Sequence, residues 1–309
     1  MTEIAEQRAA AAKAMSPPLG DAWLDRWDRF WYAPEPIEWV VRIRGVLCLL
    51  ALTYFLSAWA DAEFWYGTDG VQSSPRVASF LISAGLQGEA RWYVSPLFFF
   101  EGVTWFRGYL VAGMLLAAAV FLGKGGRLAG LLLWAWVVGL SNRALFLAGM
   151  AETPLSIGLF AVAIAPAAPA WHRSPPGVES RCWTAGLARK LMAVPVTLLA
   201  VATTASMLAG PVWWNGLGAF ALAAPREDRT IDWTQGGLSN PLVHDLLTHL
   251  LVIGLPLGVA FAWKRRSIFP GRVLVWGWCA AVALLGSLWL YAAAVAALAA
   301  AMGPRNDPR

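Results

Sequence analysis

One feature constrains this chain more than any other: a series of apolar runs, each about as long as a bilayer is thick, separated by short basic loops. A transmembrane helix needs roughly 20 apolar residues at about 1.5 Å each. Hydrocarbon offers no partner for backbone N–H and C=O groups, so such runs must be helical. Seven are expected. They are 37–60, a second run with its core at 109–123 starting near Thr104, 128–148, 154–169, 191–210, 242–263 and 273–302. The third is interrupted by Ser141-Asn142-Arg143, the fifth holds Pro195 near its start, and the sixth holds Pro256 as an expected kink. The last has 30 residues, about 45 Å as one helix, and should tilt or project.

The flanks read differently. Residues 1–20 form an Ala/Glu/Lys stretch ending in Ser16-Pro17-Pro18 and are expected to be a mobile tail. Residues 21–32, DAWLDRWDRFWY, set Trp23, Trp27, Phe30 and Trp31 at helical spacing among charges. Two readings stand: a helix lying in the membrane interface, or a helix packed on the bundle. Between the first two spans, 77–86 and 94–100 are apolar but short, and suit interfacial or re-entrant pieces. The organisation is thus a tail with an amphipathic helix over 1–36, one transmembrane domain over 37–302, and a short tail over 303–309.

Loop charge sets the orientation. Arg42 and Arg44 open the first span and should snorkel to one surface. Lys124 and Arg127, then Arg173, Arg181, Arg189 and Lys190, then Lys264, Arg265, Arg266 and Arg272 fall in alternate loops. The loop 149–153 has no Lys or Arg, and Arg226 and Arg229 are offset by Glu227, Asp228 and Asp232. The basic loops and the N-terminus are expected in the cytoplasm and the C-terminus outside the cell membrane.

Composition agrees. The chain is 58% hydrophobic and 14% charged, against about 25% charged in soluble domains. Nineteen Trp suit aromatic belts at two interfaces. The class is an all-α polytopic membrane protein with interfacial or re-entrant helices added. The net charge of +5 is spread over short loops, which argues against nucleic acid as a partner. Cys48, Cys182 and Cys279 lack paired spacing, and there is no HExxH, so neither a disulfide framework nor a metal site is expected. The first 36 residues lack an apolar core, so no cleavable signal is expected and the first span should direct insertion.

Few polar residues fall in the apolar part. Asn142 and Arg143 lie about two-thirds of the way along the third run, and a central Arg costs about 2.5–3.5 kcal/mol on insertion scales. Arg143 either walls a polar cavity or snorkels outward to Glu152. Its fork is expected to hold Asp245 or Glu152. His244, Asp245, Thr248 and His249 occupy the first turns of the sixth span. Asp245 and His249 are i,i+4 and could form an acid/base pair or a hydrogen-bonded surface pair. The stretch 205–220, ASMLAGPVWWNGLGAF, ends a span at Pro211 and sets Trp213 and Trp214, with Asn215, at the water boundary.

That stretch resembles a segment of the membrane domain shared by vitamin K-dependent gamma-carboxylases and bacterial horizontally transferred transmembrane (HTTM) proteins. "RIRG" in the first span, "YGTDGVQSSP" after it, "SNRALFLAGMAETPL" and "THLLVIGLPLG" resemble that family's opening, loop, third-span and sixth-span motifs. The resemblance covers about residues 37–300. In the carboxylases a Lys of the 205–220 segment is the catalytic base. Here Met207 stands in its place, after Ser206, and no Lys lies between Lys190 and Lys264. A thioether cannot move that proton. Gly254 or a neighbour replaces the family Glu, and the last span carries Trp276, Trp278 and Cys279 where a His is common. No counterpart of the β domain that docks a propeptide in full carboxylases is expected within these residues.

These residues predict an outward-facing cavity between the third, fifth and sixth spans. Its expected wall is Asn142, Arg143, Glu152, Ser206, Met207, Trp213, Trp214, Asn215, His244, Asp245 and His249. The expected function is binding of a lipid, a quinone-like molecule or a peptide without glutamate carboxylation, beside a membrane-associated redox or peptide-maturation partner. An enzyme of altered chemistry using Asp245, His249 and Arg143 is the first alternative. A small-molecule transporter is the second, weakened by the lack of an internal repeat.

Overall fold

The computed structural model describes residues 19–85, 95–99, 102–144, 149–173, 180–224 and 239–303. The tail over 1–18 and the loop carrying Arg226 and Arg229 lie outside them. The described chain is all-α apart from one antiparallel pair, β1 (Glu35–Pro36) with β2 (Arg181–Cys182), where Glu35 faces Cys182 and Pro36 faces Arg181. After α1 (Leu19–Tyr32), α2 (Ile37–Ala60) starts directly behind Pro36, whose missing N–H is harmless at a helix start. Two short helices follow, α3 (Ala62–Tyr66) and α4 (Ser74–Ser83). Then come α5 (Val103–Phe121), α6 (Gly126–Arg143), α7 (Glu152–Ile164) and α8 (Trp183–Ala209). Two further short helices, α9 (Pro211–Trp214) and α10 (Gly218–Ala223), lead to α11 (Pro241–Ala262), α12 (Ile268–Gly286) and α13 (Trp289–Ala299).

Among the described residues, five segments are long and apolar enough to cross a membrane: α2, α5, α8, α11 and Arg265–Gly286. The protein is therefore a multi-pass helical membrane protein. α7, with 13 residues, is shorter than a hydrocarbon core of about 30 Å. It lies inside the bundle against α2, α6, α8 and α13. Helices approach closely where side chains are small, as membrane packing favours. Gly158 of α7 meets Leu47 and Leu298, Gly130 meets Ala163, and Gly113 lies on the Phe55 ring.

The third run differs from its expected extent. Its helix stops at Arg143, so Asn142 and Arg143 occupy the last turn and not the middle of a span, and 145–148 lie outside the described residues. α8 begins at Trp183, eight residues before the expected 191, because Arg189 is held within the helix by its buried bond to Glu35 and not left to a solvated loop. Arg44 does not snorkel. It is buried and donates to the carbonyls of Val162 (2.5 Å), Ala165 (3.1 Å) and Pro166 (2.8 Å). Those are orphan carbonyls at the end of α7, where a cation is favoured. Arg42 remains exposed.

The largest correction concerns the final 30-residue run. It is not one tilted helix. Ser287 adopts a left-handed backbone (φ 54°), and the chain folds back as the hairpin α12–α13. Arg272, near the start of α12, donates through Nε to the carbonyl of Met302 at 3.0 Å and also through its second terminal nitrogen. Arg189, near the start of α8, donates to the carbonyl of Ala301 at 2.8 Å. Residue 303 therefore lies at the same end of the bundle as Glu35, Arg189 and Arg272, and not at the opposite end as expected from seven alternating spans. A cysteine introduced at Gly303 should be labelled from the same side as cysteines at Gly125 and Ser267, and one at Ala151 from the other side. Labelling of Gly303 together with Ala151 would refute the hairpin.

Of the two readings of α1, the structure shows the helix packed on the bundle. Its Phe30 stacks on Trp263 (6.3 Å), Tyr32 meets Trp183 (6.0 Å), and Lys190 Nζ lies 4.4 Å from the Phe30 ring. Trp23, Leu24 and Trp27 remain exposed on the helix.

Candidate functional site

Among the described residues, two cavities at the end of the bundle away from the basic loops hold residues expected at the site. The larger, about 480 Å³, is bounded by the start of α7, the last half of α8, α9, α10, α12 and the start of α13. Ser206, Met207 and Trp213 line it, as expected, and Thr203, Trp278 and Tyr291 complete its character. The walls are mainly aliphatic, aromatic and thioether, with four hydroxyl side chains, Thr153, Thr203, Ser206 and Tyr291. Thr203 of α8 and Tyr291 of α13 both belong to this lining. This balance of apolar lining and few polar groups is typical of small-molecule sites, and the volume falls in their range of about 300–1,000 Å³.

The local sequence explains the roof. Pro211 starts α9 where α8 ends, and Gly216 (φ 71°) reverses the chain before α10. A side chain at Gly216 would run into the Asp245 carboxylate. Trp213 lies across Gly218, whose missing Cβ lets the indole down onto the backbone. Trp214 is exposed and donates to the carbonyl of Leu208 at 2.5 Å. Asn215 is exposed at the end of α9.

His244 and Thr248 have a structural task. The buried Thr248 hydroxyl accepts the N–H of Ala219 at 2.9 Å and lies 2.8 Å from the Gly216 carbonyl. His244 Nδ1 lies 3.0 Å from that same carbonyl. Together they pin the α9–α10 bend onto α11. Asp245 and His249 do form the expected i,i+4 pair, with Oδ1 3.4 Å from Nδ1, but both side chains are about half exposed. Neither lines the larger cavity. An acid and base open to bulk water lack the dry, oriented setting that acid/base catalysis uses.

The second cavity, about 350 Å³, lies between the outer ends of α2 and α6, α3, and the starts of α7 and α13. Glu152 lines it with Tyr54, Ser57, Asp61, Trp65 and Tyr66. Arg143 is buried beside it, its guanidinium carbon 5.7 Å from the Tyr66 ring and 5.1 Å from Phe98. Burial pushes the Tyr66 phenol up from its ordinary value; Arg143 opposes this and Glu152 adds to it. Tyr66 therefore stays a neutral hydrogen-bond donor. Arg143 and Glu152 thus act on one phenol, while Asp245 lies against Gly216 at the α9–α10 bend. Of the two carboxylates expected on the Arg143 fork, Glu152 shares the surroundings of Tyr66 and Asp245 lies elsewhere. Asn142 is half-buried on the same last turn of α6.

The expected single cavity is therefore two cavities and a surface pair. Thr203 and Tyr291 in one, and Tyr54, Asp61, Trp65 and Tyr66 in the other, were missed. A signal existed for part of them: Tyr54, Ser57, Ala58 and Asp61 recur at i, i+3, i+4, i+7, one face of α2.

No family model, curated protein or solved structure matches the chain.

Proposed function

We propose that the protein is a non-catalytic binding protein of the cell membrane, HTTM-like, which holds a lipid or quinone-like molecule in the 480 Å³ cavity. The observation that carries this reading is the cavity itself: a mainly apolar chamber whose hydroxyls at Thr203, Ser206 and Tyr291 can orient one polar head. Its size favours a small molecule over a peptide. With the basic loops in the cytoplasm, the cavity opens in the outer half of the membrane. Met207, in the place of the family Lys, can neither take nor give a proton, so purified protein supplied with reduced vitamin K, carbon dioxide, oxygen and glutamyl peptides is not expected to form carboxyglutamate. A membrane-associated redox or peptide-maturation enzyme would be the natural recipient of the ligand.

The direct test is native mass spectrometry of the protein released from mild detergent. The wild type should retain a lipid or quinone-sized mass. Ala202→Trp, which fills the chamber from α8, should lose it while keeping the folded charge-state distribution. Equal adducts on both proteins, or none on either, would remove the cavity from consideration.

A further inference from the structure

The smaller cavity differs in chemistry from the larger one, and its reading does not depend on what the larger one holds. Its wall carries two carboxylates, Asp61 and Glu152, and three aromatic side chains, Tyr54, Trp65 and Tyr66. Tyr54 and Tyr66 are 8% and 6% exposed, so the walls are fixed parts of the interior. Tyr66 is held further by a stack on Phe106 at 3.9 Å. Glu152 and Tyr54 lie together in this lining. Glu152 Oε2 is buried and has no hydrogen-bond partner among the described residues. A buried carboxylate oxygen without a partner is costly, and a donor brought by a ligand would remove that cost. Arg143 reaches the Tyr66 ring but is not part of the lining, so the surface offered to a guest is acidic and aromatic.

We infer that this cavity is a binding site for an organic ammonium group. Three features select that class. A cation gains from Glu152 and from Asp61, which stands exposed at the end of α2. An ammonium or its methyl groups also gain from the face of an aromatic ring, Trp above all. An anion would meet two carboxylates, and a neutral apolar guest would leave Glu152 Oε2 unsatisfied. Among the described residues no group of three or more His, Cys, Asp or Glu gathers to hold a metal ion, and an inorganic cation would have no use for the aromatic wall. The volume suits a headgroup and not an acyl chain. The same group could arrive on an ethanolamine or choline phospholipid or on a free amine.

Isothermal titration of the detergent-solubilised protein, in a detergent without an ammonium head, tests the site. Choline should bind, while its uncharged carbon isostere and sodium should not. Glu152→Gln keeps the shape of the cavity and should weaken choline by about tenfold, the loss of one charge-assisted contact. Asp61→Asn, at the exposed mouth, should cause a smaller loss and cannot fail through core packing. Trp65→Leu should weaken choline more than it weakens ammonium ion. Native mass spectrometry from discs of mixed choline, ethanolamine and glycerol phospholipids separates the sources. Preferential retention of the two ammonium lipids points to a headgroup; choline binding without such retention points to a free amine. Absence of choline binding, or choline affinity equal in wild type, Glu152→Gln and Asp61→Asn, overturns the assignment. Neither outcome bears on Ala202→Trp, so this reading and that of the larger cavity fail separately.

Discussion

Arg189→Leu should destabilise the protein by about 3–5 kcal/mol, the usual cost of breaking one side of a buried ion pair. Arg189 donates through a terminal nitrogen to Glu35 Oε2 at 2.6 Å and through Nε to the Ala301 carbonyl at 2.8 Å. Both partners of the pair are buried, and the guanidinium also lies 5.8 Å from the Trp39 ring. One side chain thus ties the entry to α2, the start of α8 and the end of α13. Without it, the Glu35 carboxylate is left buried and unpaired and the returning C-terminal segment loses an anchor. Thermal unfolding in detergent reads the loss. Arg189→Lys should recover only part, since an ammonium cannot serve both acceptors in the same fixed fork. The double variant Glu35→Leu/Arg189→Leu should be less damaged than Arg189→Leu alone, because no buried charge is then stranded. A double variant as unstable as the sum of the singles would show that packing, and not the stranded charge, governs this junction.

Gly271→Leu should have the second large effect, loss of a correctly packed α11–α12 hairpin. A Cβ at Gly271 would overlap the backbone nitrogen of Ala262 and come within 2.7 Å of its Cα. The obstruction is backbone, so no rotamer change relieves it and the two helices must part. Overpacking of a core usually costs about 1–3 kcal/mol, and more where backbone has to move. Gly277, on the same helix, has nothing within 4 Å of the corresponding position. Gly277→Ala should therefore be tolerated and slightly favour the helix. Size-exclusion profiles and unfolding temperatures of the two variants give the comparison. Equal behaviour would mean that α11 and α12 do not meet at Gly271.

The fate of individual residues shows how far the sequence reaches. Met207, Ser206 and Trp213 do line one chamber, because α8 ends at Gly210–Pro211 and the following bend keeps them close in sequence and in space. Asp245 and His249 do pair, because i,i+4 contact is fixed by the helix alone. Arg143 and Glu152 come to one phenol, yet that phenol, Tyr66, belongs to a segment 77 residues before Arg143 and carries no local mark of the encounter. The acidic face Tyr54–Ser57–Asp61 was written at helical spacing, but spacing does not say which neighbour a face will meet.

Length, hydropathy and loop charge determined by themselves that this chain is a helical, multi-pass membrane protein, and they located most of its helices. That information is local: each backbone amide in hydrocarbon must be satisfied within its own helix, so a run of apolar residues declares its state alone. Only the tertiary structure decided that Arg44 caps α7, that the expected cavity is two cavities, and that 273–302 turns back at Ser287. Hydropathy is blind to chain direction. A turn between two apolar helices becomes stable only when its flanks find antiparallel partners and its end is fixed, here by the Arg272 and Arg189 bonds to the carbonyls of Met302 and Ala301.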